Sequence, residues 1–194
     1  EGEVSYPHQG IRGEFWEWTR GRGGVRRAED LGRLGQTLLQ RTGDSVWRRP
    51  PGSRAVRELR DGEQALALAD LDLEASVAGC RSLQPGGEGA PPFEHFKVFH
   101  EEFVRGRDCA KVWIQPPFGS PLTLWICQDS GVLVRRVRGV ETTDYEDHEE
   151  IDGVQIPFTR TTTWAGARSD RRTVTIDSAE VLPEAPRGVF DPPL

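Results

Sequence analysis

Cys80, Cys109 and Cys127 are the side chains of this sequence best equipped for covalent or metal chemistry. They are too few and too scattered for a four-ligand zinc site, and no C-x-x-C pair occurs, so no metal is assigned. Cys109 and Cys127, however, flank Pro116-Pro117-Phe118-Gly119, where two prolines and a glycine end strand pairing and force a turn. With Phe118 at the centre of a hairpin, the two cysteines face each other. A cross-strand disulfide between Cys109 and Cys127 can then form if the pair is non-hydrogen-bonded, and two buried thiols are the alternative.

The remaining reactive types form no constellation. His95 and His100 share one strand-like run on opposite sides, and His8 and His148 are remote in sequence. No G-x-S-x-G supplies a nucleophile elbow. Gly21-Arg22-Gly23-Gly24 lies between two strand-like runs, where a turn accounts for it better than a phosphate loop. Carboxylate pairs such as Glu101 with Glu102 or Asp144 with Glu146 arise by chance in a chain with 31 acids. No catalytic residue and no cofactor is assigned, and the chain is not expected to be an enzyme.

The elements that carry these residues are short alternating runs separated by turn signals, the pattern of antiparallel β-structure. Strands are expected at 3–8, 11–20, 24–31, 34–42, 45–49, 54–59, 94–104, 109–115, 120–127, 132–140, 142–151, 154–164 and 172–182. Turns at Gln128-Asp129-Ser130-Gly131 and Asp152-Gly153 make the C-terminal half a meander. Trp164 to Asp170 forms its polar tip. Residues 61–71 break the pattern, being rich in Ala, Leu and Glu with an acid at the start, and predict a short helix with Leu66, Ala69 and Leu73 on one side. Residues 84–92, rich in Pro and Gly, read as a loop across one rim.

In the hairpin, alternation puts Ala110, Val112, Ile114, Leu122, Leu124 and Ile126 on one apolar face. Trp113 and Trp125 join the cysteines on the other. Trp16 and Trp18 share a face elsewhere, and Trp47 and Trp164 complete six indoles, large amphipathic rings suited to line an apolar pocket.

The chain has 194 residues, with 25 Lys and Arg against 31 Asp and Glu, a net charge of −6. One domain spanning 1–194 suits that length. The charge gives no reason to approach phosphate backbones, so nucleic acid is not an expected partner. The run ETTDYEDHEEID from Glu141 to Asp152 is read as a solvated strand edge that discourages association between sheets. No apolar run is long enough to span a membrane. The absence of Met and the start on a strand-like segment suggest that an N-terminal portion has been removed.

Asp144-Tyr145, Ile151-Asp152-Gly153-Val154-Gln155-Ile156-Pro157-Phe158, Val174-Thr175-Ile176 and Gly188-Val189-Phe190-Asp191-Pro192-Pro193 form a series that resembles the LolA-like family of bacterial outer-membrane lipoprotein-sorting carriers. Gly106 to Val112, Leu122 to Trp125 and Ser130 to Arg135 are similar to that family's three-strand meander. The resemblance implies a curved antiparallel sheet forming an unclosed β-barrel, covered by a helical lid, in the periplasm or outside the cell. It also implies a hydrophobic small molecule or acyl chain as ligand. The expected contacts are Trp16, Trp18, Trp47, Leu66, Leu73, Val112, Ile114, Leu122, Leu124 and Ile126. The alternative is a β-domain that docks a protein of the cell envelope through its edge or a Trp-bearing convex face.

Overall fold

The computed structural model describes residues 1–20, 24–78, 95–116, 119–165 and 170–193, apart from the side chains at 69, 70 and 72–78. The N-terminal half forms β1 (Gly2–Tyr6), β2 (Ile11–Arg20), β3 (Gly24–Asp30), β4 (Gln36–Thr42), β5 (Ser45–Arg49) and the short β6 (Arg57–Glu58). Helix α1 (Asp61–Ala78) follows, with Asp61 and Glu63 in its first turn, where the helix dipole favours acids. It starts where the composition predicts and runs on past Leu71. The second series is β7 (His95–Val104), β8 (Arg107–Gln115), β9 (Leu122–Cys127), β10 (Leu133–Arg138), β11 (Glu141–Ile151), β12 (Val154–Trp164) and β13 (Arg171–Ile176). The loop at 84–92, Cys80, the turn at 21–23 and the tip at 166–169 lie outside the described residues.

All these strands join one antiparallel sheet in the order β6-β5-β4-β3-β2-β1-β13-β12-β11-β10-β9-β8-β7. Consecutive strands are sheet neighbours except β6 and β7, which lie at opposite edges, and at the centre β1 pairs with β13, Val4 lying opposite Val174. That pairing joins two meanders into one sheet. It leaves β6 and β7 as unjoined edges, so the sheet is an open barrel. Helix α1 packs on β5 and β12. Its Leu66 reaches the β8–β9 turn, where a Cβ added to Gly119 would stand 2.4 Å from Leu66 Cδ1.

Local chemistry sets the register. Asp152 (φ 50°) and Gly153 (φ 77°) both take positive φ, the two-residue turn whose twist matches a hairpin, and Ile151 pairs with Val154 across it. In the β8–β9 hairpin Cys109 opposes Cys127, Val112 opposes Leu124 and Ile114 opposes Leu122, the register expected from the sequence.

The acid-rich run does not lie at an edge: as β11 it sits between β10 and β12. Arginines meet the acids Glu141, Asp144 and Glu146, while Glu149, Glu150 and Asp152 are exposed. Arg135 Nε and Arg105 Nη2 donate to Asp144 at 2.6 and 2.9 Å, and Arg136 Nη2 donates to Glu141 at 2.9 Å.

The C-terminal segment closes over the outer face of β3 and β4. Arg26 Nη1 donates to the Val189 carbonyl (3.1 Å), Thr42 Oγ1 to that of Phe190 (2.6 Å) and Gln40 Nε2 to that of Asp191 (2.6 Å). The Arg20 guanidinium lies 4.8 Å from the Phe190 ring centroid. Apolar clusters occupy both faces elsewhere: Val112, Ile114, Leu122 and Leu124 on one, and Cys109, Trp125, Cys127 and Val134 on the other. Burying each of the larger side chains is worth about 1.5–3 kcal/mol.

Candidate ligand-binding cavity

Alternation along β2 sends Phe15, Glu17 and Thr19 to a cavity of about 460 Å³ enclosed by the sheet and α1. That is the scale of a small-molecule site, roughly 300–1,000 Å³. Trp16 and Trp18 therefore point the other way. Trp47 pairs with Gln40, which pairs with Arg26, which pairs with Trp18, so it shares their outward face. These three tryptophans, expected to contact a ligand, do not line this hollow and share the face on which Arg26, Gln40 and Thr42 hold the C-terminal segment. Trp164 does line the cavity.

The apolar face of the hairpin is present but mostly closed on itself. Ile114, Leu122 and Leu124 are at most 1% exposed, with Val112 packed among them and Ile126 at the margin. Of this group, Leu124 reaches the cavity wall. Leu71, which is buried, lines the hollow from α1, whereas Leu66 is 38% exposed at the Gly119 contact. The Leu73 side chain is outside the described residues. Nothing in the helical pattern singled out Leu71, because the sheet surface that buries it is assembled from strands distant in sequence.

The hollow is not the wholly greasy wall expected. Beside Phe15, Val25, Leu71, Leu124, Val132 and Val174 it is lined by Arg27, Arg48, Arg136, Arg160 and Arg172. Glu17 lies between two of these, accepting from Arg27 Nε at 2.8 Å and from Arg160 Nη1 at 2.9 Å. Burial alone would raise the Glu17 pKa, but the two guanidiniums outweigh it and hold the carboxyl far below its ordinary range. Arg172 donates to Glu29, which also accepts from Tyr6 Oη at 3.2 Å. Burial, opposed by Arg172, raises the Tyr6 phenol. Sequence reasoning missed this network because its members sit on β1, β2, β3, β12 and β13, and no local motif links them.

Asp147 takes a φ of 53° and interrupts the alternation of β11, so both Tyr145 and His148 line the cavity. His148 Nε2 lies 3.1 Å from the Leu133 carbonyl. Burial, aided by the charge of Arg107, lowers its pKa and keeps the ring neutral. The described lining contains no serine or cysteine, and its acids are matched by arginines rather than by a nucleophile.

Away from the hollow, Gln128 N donates to the Asp108 carbonyl at 3.0 Å, making 108 and 128 a hydrogen-bonded pair. The next pair, Cys109 with Cys127, is therefore non-hydrogen-bonded, the closer of the two spacings. Both are free thiols, so the possible bridge is not formed in this structure. Burial and the proximity of Cys127 push the Cys109 thiol up. At Cys127 burial acts the same way, but hydrogen bonds from Ser130 and Asp129 outweigh it and lower the pKa.

No protein-family model matches the chain, and no curated protein matches it. Solved structures do. A domain described as outer-membrane lipoprotein-sorting from Vibrio parahaemolyticus superposes with a TM-score of 0.66 at 10% identity, over 97% of this chain and 86% of that one. A LolA superfamily protein from Nitrosomonas europaea gives 0.61 at 12% identity, over 98% and 86%. A DUF1329 family protein from Desulfovibrio piger gives 0.59 at 12% identity, over 93% and 81%. With an unclosed sheet, a helix across its hollow and these neighbours, the chain has the LolA-like fold.

Proposed function

We propose that the protein binds and carries a hydrophobic small molecule, a lipid or an acyl chain, in the hollow of its sheet, without catalysing a reaction, in the bacterial envelope. The observation that carries this reading is the cavity of about 460 Å³ that Leu71, Leu124, Phe15 and Val174 border but do not fill. Apolar burial would drive binding at roughly 25 cal/mol per Å², less the cost of ordering the ligand. Leu124 supplies direct contact, and Val112, Ile114, Leu122 and Ile126 form the packed support beside it. The LolA-like fold supports the reading, as does a structural neighbour described as lipoprotein-sorting.

The test is titration of delipidated protein with a fluorescent fatty-acyl probe, alongside mass spectrometry of lipid extracted from native protein. Saturable binding that is lost when Leu71 or Leu124 is replaced by Trp supports carriage. Absence of both binding and copurified lipid rejects it.

A second reading, docking of an envelope protein, rests on the β7 edge, where Phe96, Val98 and Phe103 are 49%, 57% and 73% exposed. It does not rest on a Trp125 patch, because Trp125 is buried and donates its Nε1–H to Glu102 at 2.7 Å. A pull-down from envelope extract that returns a stoichiometric protein, lost on Phe103→Lys, favours docking.

A further inference from the structure

β7 is exposed from His95 to Glu101 and again at Phe103, and among the described residues no strand pairs with its outer side. A ten-residue edge with bare phenylalanines is a template for another strand. The direction of its backbone groups follows from the neighbouring hairpin. Asp108 directs its carbonyl to β9, so Cys109 turns its own groups towards β7, and alternation does the same for Lys111 and Trp113. Lys97 and Glu102, paired with Trp113 and Cys109, are therefore bonded to β8. Phe96, Val98, Glu101 and Phe103, paired with Ile114, Val112, Ala110 and Asp108, hold their N–H and C=O groups to the open edge.

A bulge lies at the midpoint of this strand. Val98 opposes Val112 and Glu101 opposes Ala110, which leaves Phe99 and His100 together against Lys111. Bulges ordinarily blunt an edge, but this one makes the strand symmetric about its own centre. Phe96 and Phe103, equally far from the midpoint, share the face of Ile114 and turn the same groups outward, as do Val98 and Glu101. Lys97 and Glu102 share the other face. A second strand of the same sequence, turned by a two-fold axis through the bulge, therefore matches the first in both side-chain face and hydrogen-bonding direction.

We propose that β7 docks antiparallel on β7 of a second copy of this chain, closing the open edge of both. Phe96 then lies against Phe103 of the second copy, and Val98 exchanges backbone hydrogen bonds with its Glu101. Charge complementarity favours this occupant. Lys97 stands in the first half of the strand and Glu102 in the second, so the two-fold sets each lysine opposite a glutamate, in the closer, non-hydrogen-bonded spacing. Glu102 is already held in place by Lys111 Nζ and Trp125 Nε1, both at 2.7 Å. In this register no like charges of β7 face each other. The proposal goes beyond carriage and stands whether or not the hollow binds a lipid.

Sedimentation of the full chain over a dilution series tests it, with a mass of two chains expected to fall to one on dilution. Val98→Pro is the decisive variant. Its N–H points off the edge, so proline removes no bond within the chain and the single copy keeps its fold. The dimer loses that bond once from each copy, and its dissociation constant should rise at least about tenfold. Phe96→Cys and Phe103→Cys read the register: mixed and mildly oxidised, the two variants should cross-link to each other, while neither alone cross-links beyond the wild-type level.

A single chain at every concentration overturns the proposal, as does a dimer that Val98→Pro leaves unweakened or a cross-link formed by either cysteine variant alone. A chain that stays single while retrieving a foreign protein through β7 also overturns it and gives the edge to that partner. If Val98→Pro does not fold, the cross-link decides.

Discussion

Arg160 Nη1 and Glu17 Oε2 meet at 2.9 Å although 143 residues separate them in the chain. The contact joins β12 to β2 over the seam where the first and last strands pair, and Arg27 reaches the same carboxylate from β3. Removing the shared acid leaves two guanidiniums with no common partner. Glu17→Gln is expected to destabilise the protein by about 3 kcal/mol, because an unpaired buried charge is worse than none. In a chain of this length that lowers Tm by about 6–12 °C. Glu17→Gln combined with Arg160→Met should recover part of the loss, and a thermal melt of the single variant that matches wild type would contradict the arrangement.

Acid sensitivity follows from the same carboxyl and from Asp144, where burial is outweighed by hydrogen bonds from Arg135 and Arg105 so that the pKa is lowered. Both groups bind protons more readily unfolded than folded. Their contribution is complete above the unfolded values, about 4, and is lost as pH falls through the depressed folded ones. Urea unfolding between pH 5 and pH 2, as a rough window, should show wild-type stability falling. The fall should be shallower in Asp144→Asn, which is less stable at neutral pH but has less to lose, and parallel curves would disprove the assignment.

Gly119 holds a φ of +87° directly beneath Leu66. Gly119→Ala is expected to cost about 1–2 kcal/mol from backbone strain alone, with more from the clash with Leu66. A double-mutant cycle with Leu66→Ala should recover the clash component and leave the backbone component. Strict additivity would show that the helix does not reach this turn.

Phe190, 7% exposed, anchors the C-terminal segment over Arg20 and Gly24. Phe190→Ala should cost about 3 kcal/mol and release the segment, uncovering Gln40. Limited proteolysis is the direct readout: trimming after Ser178 should accelerate in the variant. Equal trimming rates would mean that the segment is held by its backbone contacts alone.

Cys109 and Cys127 occupy a non-hydrogen-bonded cross-strand pair as free thiols. Mild oxidation is expected to link them, visible in a non-reducing peptide map. The bridge closes a loop of modest length and should add about 2–3 kcal/mol. Both thiols remaining alkylatable after oxidation would show that the strands cannot approach.

The sequence by itself determined most of the strands, the hairpin register and the start of the helix, because these depend on local rules, whereas the last strand stops at Ile176 rather than Leu182, the strand expected at 54–59 shrinks to Arg57–Glu58, and the helix runs on to Ala78. Proline and glycine end strands, paired positive φ at Asp152-Gly153 makes a hairpin, and alternation divides Leu124 from Trp125. Only the tertiary structure decided what the hollow is made of. Whether Trp16 or Glu17 faces inward depends on which way the sheet curves, a property of all its strands together and of the β1–β13 closure. The charge of the wall depends on Glu17, Glu29, Arg160 and Arg172 meeting across 143 residues of chain, a juxtaposition that no local pattern encodes.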